Sequence, residues 1–470
     1  MKIELGQVQK MLEWLKTKLY LDSIAQNARS RAVKRGQVYR CNFGCGIGSE
    51  MQKERPAVII QNDVANSRSG NTIVIPITHD TSTLPCVANI TPQTDAEGNF
   101  ILDGQANTSN MMCVSKARLG DLVGSLPKTD MKKIILRVLG FIGVTLLMLV
   151  LCLYCVMWVV TKGPSEQAKN LFVLSVRETS MAGFLANIYC SKAEIAAIEE
   201  GNKVKYLNEA VDTSLIKIDR DAAGDRKDFT ISDEDKEDGV VYADGMEFHP
   251  VKGATYAGTM IVINDPSRVF VGTSSDKYDG SAGLSVPEIC ERYGATAASN
   301  AGGFEDIGGV GNGGTPLGIV ISEGELKYGD LNTSYEIIGF DENDIFIIGN
   351  MTGQQALDSG VRDAVSWGPL LIVNGVPANV TGTGGGVNPR TAIGQREDGA
   401  VLLLIIDGRQ THSLGATLND LINVFLDFDA VNAANLDGGG STVFYYGGEI
   451  YNKISSIYGA RGIPTAIVIR

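Results

Sequence analysis

Histidine is scarce in this chain, with only three residues in 470, and the eight cysteines are thinly spread. Cys41 and Cys45 lie four apart, but no second Cys or His pair follows at the spacing of a structural zinc site, so a zinc ribbon or finger is excluded. Both read as packing residues. Ser441, in GGGST, lacks the G-x-S-x-G elbow, which argues against a serine triad built with His412 and an aspartate. The acidic stretch 219–238 (DRDAAGDRKDFTISDEDKED) has Thr230 where an EF-hand loop needs its twelfth-position glutamate, and it reads as a solvated loop. Charge is missing altogether from Val138 to Thr161 (VLGFIGVTLLMLVLCLYCVMWVVT).

That uncharged run exceeds the roughly 20 apolar residues that a helix needs to cross a bilayer. It lies too far into the chain for a cleaved leader, and it has no polar face to suit a soluble core helix, so a retained transmembrane helix over 138–161 is expected. Residues 1–137 carry 18 Lys+Arg against 12 Asp+Glu, and residues 138–470 carry 23 against 42. The basic part suits a polyanion and the acidic part does not. Lys128, Lys132, Lys133 and Arg137 crowd the first flank of the run, against Lys162 and Lys169 behind it, which puts residues 1–137 in the cytoplasm and 162–470 outside. Cys41, Cys45, Cys86 and Cys113 then fall in a reducing compartment and Cys152 and Cys155 in the membrane. Cys190 and Cys290 fall outside, where a disulfide between them stays open.

Before the run, residues 7–28 place Val8, Met11, Leu12, Leu15 and Leu19 at helical spacing, predicting an amphipathic helix packed on the adjoining domain. From Arg35 short strands take over (QVYRCNF, PAVIIQND, NTIVIPIT, CVANI, MMCVSKARL), as in a small twisted sheet or barrel. RGQVYRCNF, GSEMQKERPAVIIQND, NTIVIPITHD and MMCVSKARLGDLVGSLPKTDMKK, in that order over about residues 34–133, resemble the MazF/PemK-type toxin endoribonucleases. The resemblance implies a small SH3-like β-barrel, usually homodimeric and paired with an antitoxin, that cuts single-stranded RNA without a metal. Arg55 and Thr78 stand where that family carries its catalytic Arg and Thr. Arg55 would stabilise the phosphorane and Thr78 would hydrogen-bond the scissile phosphate. The duller reading of Arg55 is a surface ion pair with Glu50 or Glu54, and His79 reads as structural rather than as a general base. Where the family closes with a short helix, this chain runs on into ILRVLGFIGVTLLML.

Behind the run, GPSEQAKNLFVLSVRETSMAGFLANIYCSKAEIAAI reads as one or two helices, with Ser165 as a cap. From Tyr256 apolar strands alternate with Gly-rich turns, and VPEICERYGA and TLNDLINVFLDFD are helical, which predicts a mixed α/β or α+β domain. Three clusters stand out: Ser299-Asn300-Ala301-Gly302-Gly303-Phe304; Asn388-Pro389-Arg390-Thr391-Ala392-Ile393-Gly394 leading to AVLLLIIDGRQ; and Asn435-Leu436-Asp437-Gly438-Gly439-Gly440-Ser441-Thr442. Together they resemble the phosphodiester glycosidase family over about residues 250–470, and the preceding span looks like its membrane-anchored bacterial branch. The implied activity is hydrolysis of a sugar 1-phosphodiester, with release of N-acetylglucosamine known in the family.

Such a substrate asks for cations and amides around the phosphate and carboxylates near the anomeric centre. Asp407 and Asp437 both follow apolar runs and are the candidate acid/base or nucleophile pair, with their roles left open. Arg390 and Arg409 would bind the phosphate, the amides of Gly438, Gly439, Gly440 and Ser441 would form an anion nest, and Asn300, Gly302, Gly303, Asn435, Ser441 and Thr442 would shape the sugar and phosphate sites. Turn chemistry at Asp437 and an Asp407–Arg409 pair are the plain alternatives. No cofactor is required by the sequence. A divalent cation near Asp437 is compatible with it.

The expected organisation is therefore multidomain: a helical extension (1–33), a MazF/PemK-like domain (34–133), a transmembrane helix (138–161), a juxtamembrane helical segment (162–200), an acidic linker or start of the outer domain (201–249) and a phosphodiester glycosidase domain (250–470). Its partners would be a cell-surface glycan or sugar phosphodiester outside, the lipid bilayer, and RNA and an antitoxin inside. RNA cleavage as the main activity and a non-catalytic glycan-binding outer domain are the alternatives. The two resemblances overlap only at Met131-Lys132-Lys133-Ile134, which marks a seam: either a fusion, or an outer protein with its own start near Met131.

Overall fold

Alternation along Gln37–Asn42 places Val38 on one side of a sheet and Tyr39 and Cys41 on the other, and all three are buried. A strand covered on both faces needs two apolar layers. The computed structural model describes residues 5–47, 50–79, 82–179, 181–205, 210–218, 239–306, 311–456 and 459–470, and it divides at Cys155/Val156 into two compact units. The acidic stretch 219–238 lies outside the described residues.

In the first unit seven antiparallel strands form one sheet in the order Val87–Asn89, Gln105–Asn107, Asn71–Thr78, Glu54–Ile59, Gln37–Asn42, Leu119–Ser125, with Met112–Ser115 also paired to Asn71–Thr78. The expected small barrel is thus a path of pairings with two end strands among the described residues. Val38, Val58 and Ile75 pack on one face, and Tyr39, Cys41, Ala57, Ile59 and Val74 on the other. Burial pushes the Cys41 thiol up to about 12, as suits a packing residue.

The helix Leu5–Ala28 forms as expected, but its apolar residues are not packed: Met11, Leu12, Leu15 and Leu19 are 50–66% exposed. It docks through other groups. The Trp14 ring lies against Gly44, where a Cβ would collide with it, and the Arg118 guanidinium sits 5.4 Å from that ring. Arg31, just past the helix, donates to the carbonyls of Leu119 and Gly120.

One continuous helix, Lys128–Lys162, contains the uncharged run, and its 35 residues rise about 52 Å at 1.5 Å each. Its most apolar 18-residue window has a mean hydropathy of 2.6 and is 6% buried, so it is long and apolar enough to cross a membrane. Its first turns do different work. Met131 and Ile134 enter the first unit's core, and buried Asp130 accepts the Thr91 N–H at 2.7 Å and the Lys133 ammonium at 2.9 Å. Burial alone would raise the Asp130 pKa, but Thr91 and Lys133 hold it below the ordinary range. The closing helix that the first resemblance implies is therefore present, as the opening of the apolar one.

In the second unit every pairing between described strands is antiparallel, so of the two fold classes expected it is α+β. An eight-stranded sheet has Ala257–Ile263, Val401–Ile406, Arg390–Arg396 and Ala430–Asn435 at its centre, and two five-stranded sheets accompany it. Along Val401–Ile406 every residue is buried because both faces are covered. Leu403 and Ile405 join a core shared with Val271, Phe340, Phe346 and Ile467, while Leu402, Leu404 and Ile406 meet Leu421, Ile422 and Phe425 of the helix Leu418–Asp427. Thr417 and Asp420 close a capping box at that helix's start.

Val241–Ala243 and Met246–Lys252 are strands of the large sheet, within the stretch 201–249 and just past it, where the start of the outer domain is expected. The helices Glu166–Arg177, Phe184–Tyr189 and Lys192–Gly201 are followed by Val204–Lys205, which pairs with Asn379–Val380. Cys190 and Cys290 are each buried in a different apolar cluster and are not bridged.

The core role of Ile134, fully buried, is testable: I134A is expected to cost the first unit about 2–5 kcal/mol. Thermal unfolding of the full chain in detergent checks it. An unchanged transition would mean that the helix serves only as an apolar span.

Candidate active site

Three neighbouring strands of the large sheet bring the sequence clusters to one edge. Arg390 pairs with Ile406 and Ala392 with Asn435, so Arg390, Asp407 and Asp437 all leave the sheet at adjacent strand ends. A cleft of about 870 Å³ opens there, lined by Arg390, Arg409, Asn435, Asp437 and Gly438 to Ser441, and also by Glu178, Thr179, Asp306, Trp367, Asn388 and Arg461.

Asp437 is the acidic centre of this cleft. Its carboxylate accepts the Gly438 N–H at 3.0 Å, and burial pushes its pKa up to about 6 against the pull of the Ser441 hydroxyl, the Gly438 N–H and Arg461, with Asp306 adding to the rise. Arg461 donates to Asp306 at 2.8 Å and lies 4.7 Å from the Phe304 ring. Arg390 is buried and donates to Glu178 at 2.7 Å, to the Gly386 carbonyl at 2.8 Å and to the Ala416 carbonyl at 3.2 Å. Arg409 donates to Thr179 Oγ1 at 2.8 Å and to Asn388 Oδ1 at 3.0 Å. Burial and the adjacent Arg390 both lower the Arg409 pKa, with Glu178 opposing them.

Asp407 does not face this cleft. Its carboxylate is held by His412 Nε2 at 2.9 Å and by the Lys453 N–H at 3.0 Å. The cause is the loop after the strand, where Arg409 takes the left-handed φ of 56° and its N–H reaches the Leu414 carbonyl at 3.0 Å. The tight turn sends Asp407 toward His412 and Arg409 into the cleft, so neither the Asp407–Asp437 pair nor the Asp407–Arg409 pair forms. The anion nest is not formed either. The amides of Gly438, Gly439 and Ser441 already bond to Asp437 Oδ1, the Pro389 carbonyl and the Gly438 carbonyl.

Several candidates build the site from behind. Asn300 is buried, and its Oδ1 accepts Thr391 Oγ1 at 2.8 Å and the Val443 N–H at 3.1 Å, while its Nδ2 donates to the Asp437 carbonyl. It fixes the Asp437 backbone and does not reach the cleft. Gly302 donates to Thr465 Oγ1 at 3.2 Å, and Gly303 has the Trp367 ring where its Cβ would be. Thr442 is buried with Oγ1 unpartnered. Asn435, which lines the cleft, differs: its Nδ2 donates to the Gly368 carbonyl at 2.7 Å, while its buried Oδ1 has no partner among the described residues. Among the described residues no three His, Cys, Asp or Glu side chains gather to hold a metal.

In the first unit Arg55 and Thr78 lie at adjoining ends of the paired antiparallel strands Glu54–Ile59 and Asn71–Thr78, with Arg55 across from Cys41 and Thr78 across from Gln105 on their other sides. The Arg55 Nε donates to the Gln52 carbonyl at 3.2 Å, and no carboxylate pairs with it among the described residues. Glu54 faces Arg40 instead, at 4.0 Å. His79 is exposed and bonds to Asp103 at 3.0 Å.

Models of two protein families match parts of this chain. The family described as phosphodiester glycosidase matches residues 293–470, and the PemK-like, MazF-like toxin of type II toxin-antitoxin systems matches residues 34–141. Both are families of hydrolases. A SPbeta prophage-derived uncharacterized protein, YomE, of Bacillus subtilis is 28% identical over 57% of this chain and 42% of its own length. The N-acetylglucosamine-1-phosphodiester alpha-N-acetylglucosaminidase of Mus musculus is 26% identical over 42% of this chain and 41% of its own length. The chain thus spans less than half of either relative. Endoribonuclease MazF1 of Mycobacterium bovis is 29% identical over 22% of this chain and 86% of its own length. A solved mycobacterial endoribonuclease is 26% identical, with a TM-score of 0.20, over 24% of this chain and 93% of that one. The first unit is MazF-like, and the second is a mixed helix-and-sheet unit carrying the glycosidase-family motifs.

Since a Cβ at Gly303 would run into the Trp367 ring, G303A is expected to cost the glycosidase-like unit about 1–3 kcal/mol and to shift its tryptophan emission. Equilibrium denaturation followed by fluorescence checks both.

Proposed function

We propose that the second unit hydrolyses sugar 1-phosphodiesters outside the cytoplasm, held at a membrane by the helix Lys128–Lys162, and that the MazF-like unit cleaves single-stranded RNA on the cytoplasmic side. The observation that carries the first part is the Asp437 carboxyl, pushed up to about 6 in a cleft walled by Arg390, Arg409 and Arg461. The basic flank of the helix and the less basic one behind it support the orientation.

Each group in the cleft has something distinct to offer. A phosphodiester leaving group departs as an anion that already bears charge, so it needs guanidinium groups more than a proton. The proton demand falls on the water that attacks the anomeric carbon. A carboxylate with its pKa near 6 is a stronger base than an ordinary aspartate and is still ionised at neutral pH. Asp437 takes that proton. Asn435 lines the cleft with its Nδ2 fixed on the Gly368 carbonyl, and it would shape the end of the site that takes the sugar. The Trp367 ring beside it gives the sugar an apolar face. The mouse relative's name supports an N-acetylglucosamine 1-phosphodiester as the first substrate to try.

Protonation of Asp437 removes the base, so kcat/KM on a methyl diester of N-acetylglucosamine 1-phosphate should fall as pH drops through about 6. D437N should lower kcat by about 10²- to 10⁴-fold and abolish that limb. Unchanged hydrolysis by D437N removes this mechanism, and binding without turnover by the wild type would favour a glycan-binding module.

The reading of the MazF-like unit rests on Arg55, which has no carboxylate partner among the described residues, and Thr78 at the adjoining strand end. That unit would act as a homodimer answering to an antitoxin. R55A should reduce cleavage of single-stranded RNA by about 10²- to 10³-fold, as read on a labelled oligoribonucleotide; cleavage that survives the substitution excludes this site.

A further inference from the structure

Glu178 stands at the C-terminal end of the helix Glu166–Arg177, where a carboxylate meets the negative end of the helix dipole. Helix stability does not explain it. Its carboxylate instead accepts three donors from one loop of the other end of the chain: the Gly386 N–H at 2.7 Å, Asn388 Nδ2 at 2.9 Å and Arg390 at 2.7 Å. Asn388 in turn accepts Arg409 through Oδ1, and the neighbouring Thr179 accepts the same guanidinium. Both cleft arginines are therefore referred to one short segment, Arg390 directly and Arg409 through Thr179 and Asn388.

The loop is shaped for that segment. A Cβ on Gly386 would strike the backbone of Ser175, and one on Gly385 would lie 2.6 Å from the Glu178 carboxylate. Ser175 Oγ also accepts the Val387 N–H at 2.9 Å. Two consecutive glycines at the points of closest approach, with three polar contacts beside them, mark a built interface and not a chance touch.

We propose that Glu178 is a positioning residue of the cleft, and that the segment joining the apolar helix to the catalytic unit completes the phosphate-binding wall. Two guanidinium groups side by side repel, and without a fixed anion beside them neither holds one orientation. Glu178 supplies that anion at the cleft wall, where its carboxylate is already occupied by Gly386, Asn388 and Arg390, so the remaining donors of the pair are left to the substrate phosphate. The inference rests on reading the second unit as a phosphodiester hydrolase, and it reaches residues outside the span that matches the glycosidase family.

The test uses the full chain in detergent, with two readouts: calorimetric binding of inorganic phosphate, and KM and kcat on the sugar 1-phosphodiester. E178A should weaken phosphate binding and raise KM by about tenfold or more, with a smaller fall in kcat, because the arginines hold the diester phosphate in the ground state and also meet the charge that grows as it departs. E178Q keeps one acceptor oxygen but removes the charge, and should recover only a minor part of the loss. T179V, which removes one acceptor from Arg409, should show a smaller shift of the same sign and covers the case in which E178A fails to fold. Unchanged phosphate affinity in E178A or T179V overturns the proposal, and tighter binding overturns it by showing Glu178 to be a competitor for Arg390. If the wild type binds phosphate but hydrolyses no sugar diester, the functional reading fails while the binding comparison still decides the role of Glu178.

Discussion

Guanidinium groups cannot be gathered in a cleft unless something opposes their repulsion, and the second unit is organised around that requirement. Arg390 and Arg409 are tied to one segment through Glu178 and Thr179, with backbone carbonyls and Asn388 completing their acceptors, and Arg461 is tied to Asp306. Only a sheet buried on both faces gives these attachments a common rigid base. Arg390 begins one central strand, Asp437 comes just after the next, and Asn300 locks the Asp437 backbone to a strand of another sheet. The arginine geometry is thus a consequence of sheet register plus counter-charges brought in from outside the sheet.

Whether an element was legible in the sequence depended on the range of its cause. Val401–Ile406 stands out as an unbroken apolar run because both its faces are covered, and the helix Leu418–Asp427 because its buried positions recur at helical spacing. Those signals are local. The clusters around Arg390 and Asp437 were legible as a site because glycine next to Asp, Asn and Arg at strand ends is how a backbone is brought close to a ligand. Asp407 was not separable from Asp437 by pattern: each comes after an apolar strand, and the difference lies in the left-handed turn at Arg409. Glu178 could not be read at all, since its contact with Arg390 spans 212 positions and nothing in RETS distinguishes it from any helix-end acid.

The helix Lys128–Lys162 shows a second limit of pattern reading. Its composition proclaims an apolar span, and its first turns look like ordinary flanking sequence. Yet Met131 and Ile134 are core residues of the MazF-like unit, and Asp130 is locked beneath Thr91. An i, i+3 pair of apolar residues beside a basic flank satisfies a membrane anchor's charge rule and a packed helix's periodicity at once, so the residues where the two resemblances overlap serve the first unit before the span begins.

Holding Asp437 ready for chemistry also has a stability cost whose sign can be worked out. Its folded pKa, about 6, lies above the value of an ordinary unfolded aspartate. The folded state therefore binds the proton more tightly than the unfolded one, and stability falls as pH rises from the ordinary carboxylate range to about 6, then levels off. The loss is on the order of 2–3 kcal/mol. It is the reverse of Asp130, whose lowered pKa stabilises the first unit once pH is above the carboxylate range and is lost on acidification. One aspartate is arranged to hold a fold together and the other is held in a state the fold disfavours, and the second is the one that faces a cleft. Asp130 is satisfied by Thr91 and Lys133. Asp437 keeps a raised pKa despite the Gly438 N–H and the Ser441 hydroxyl, and that is the carboxylate with a reason to take a proton from something else.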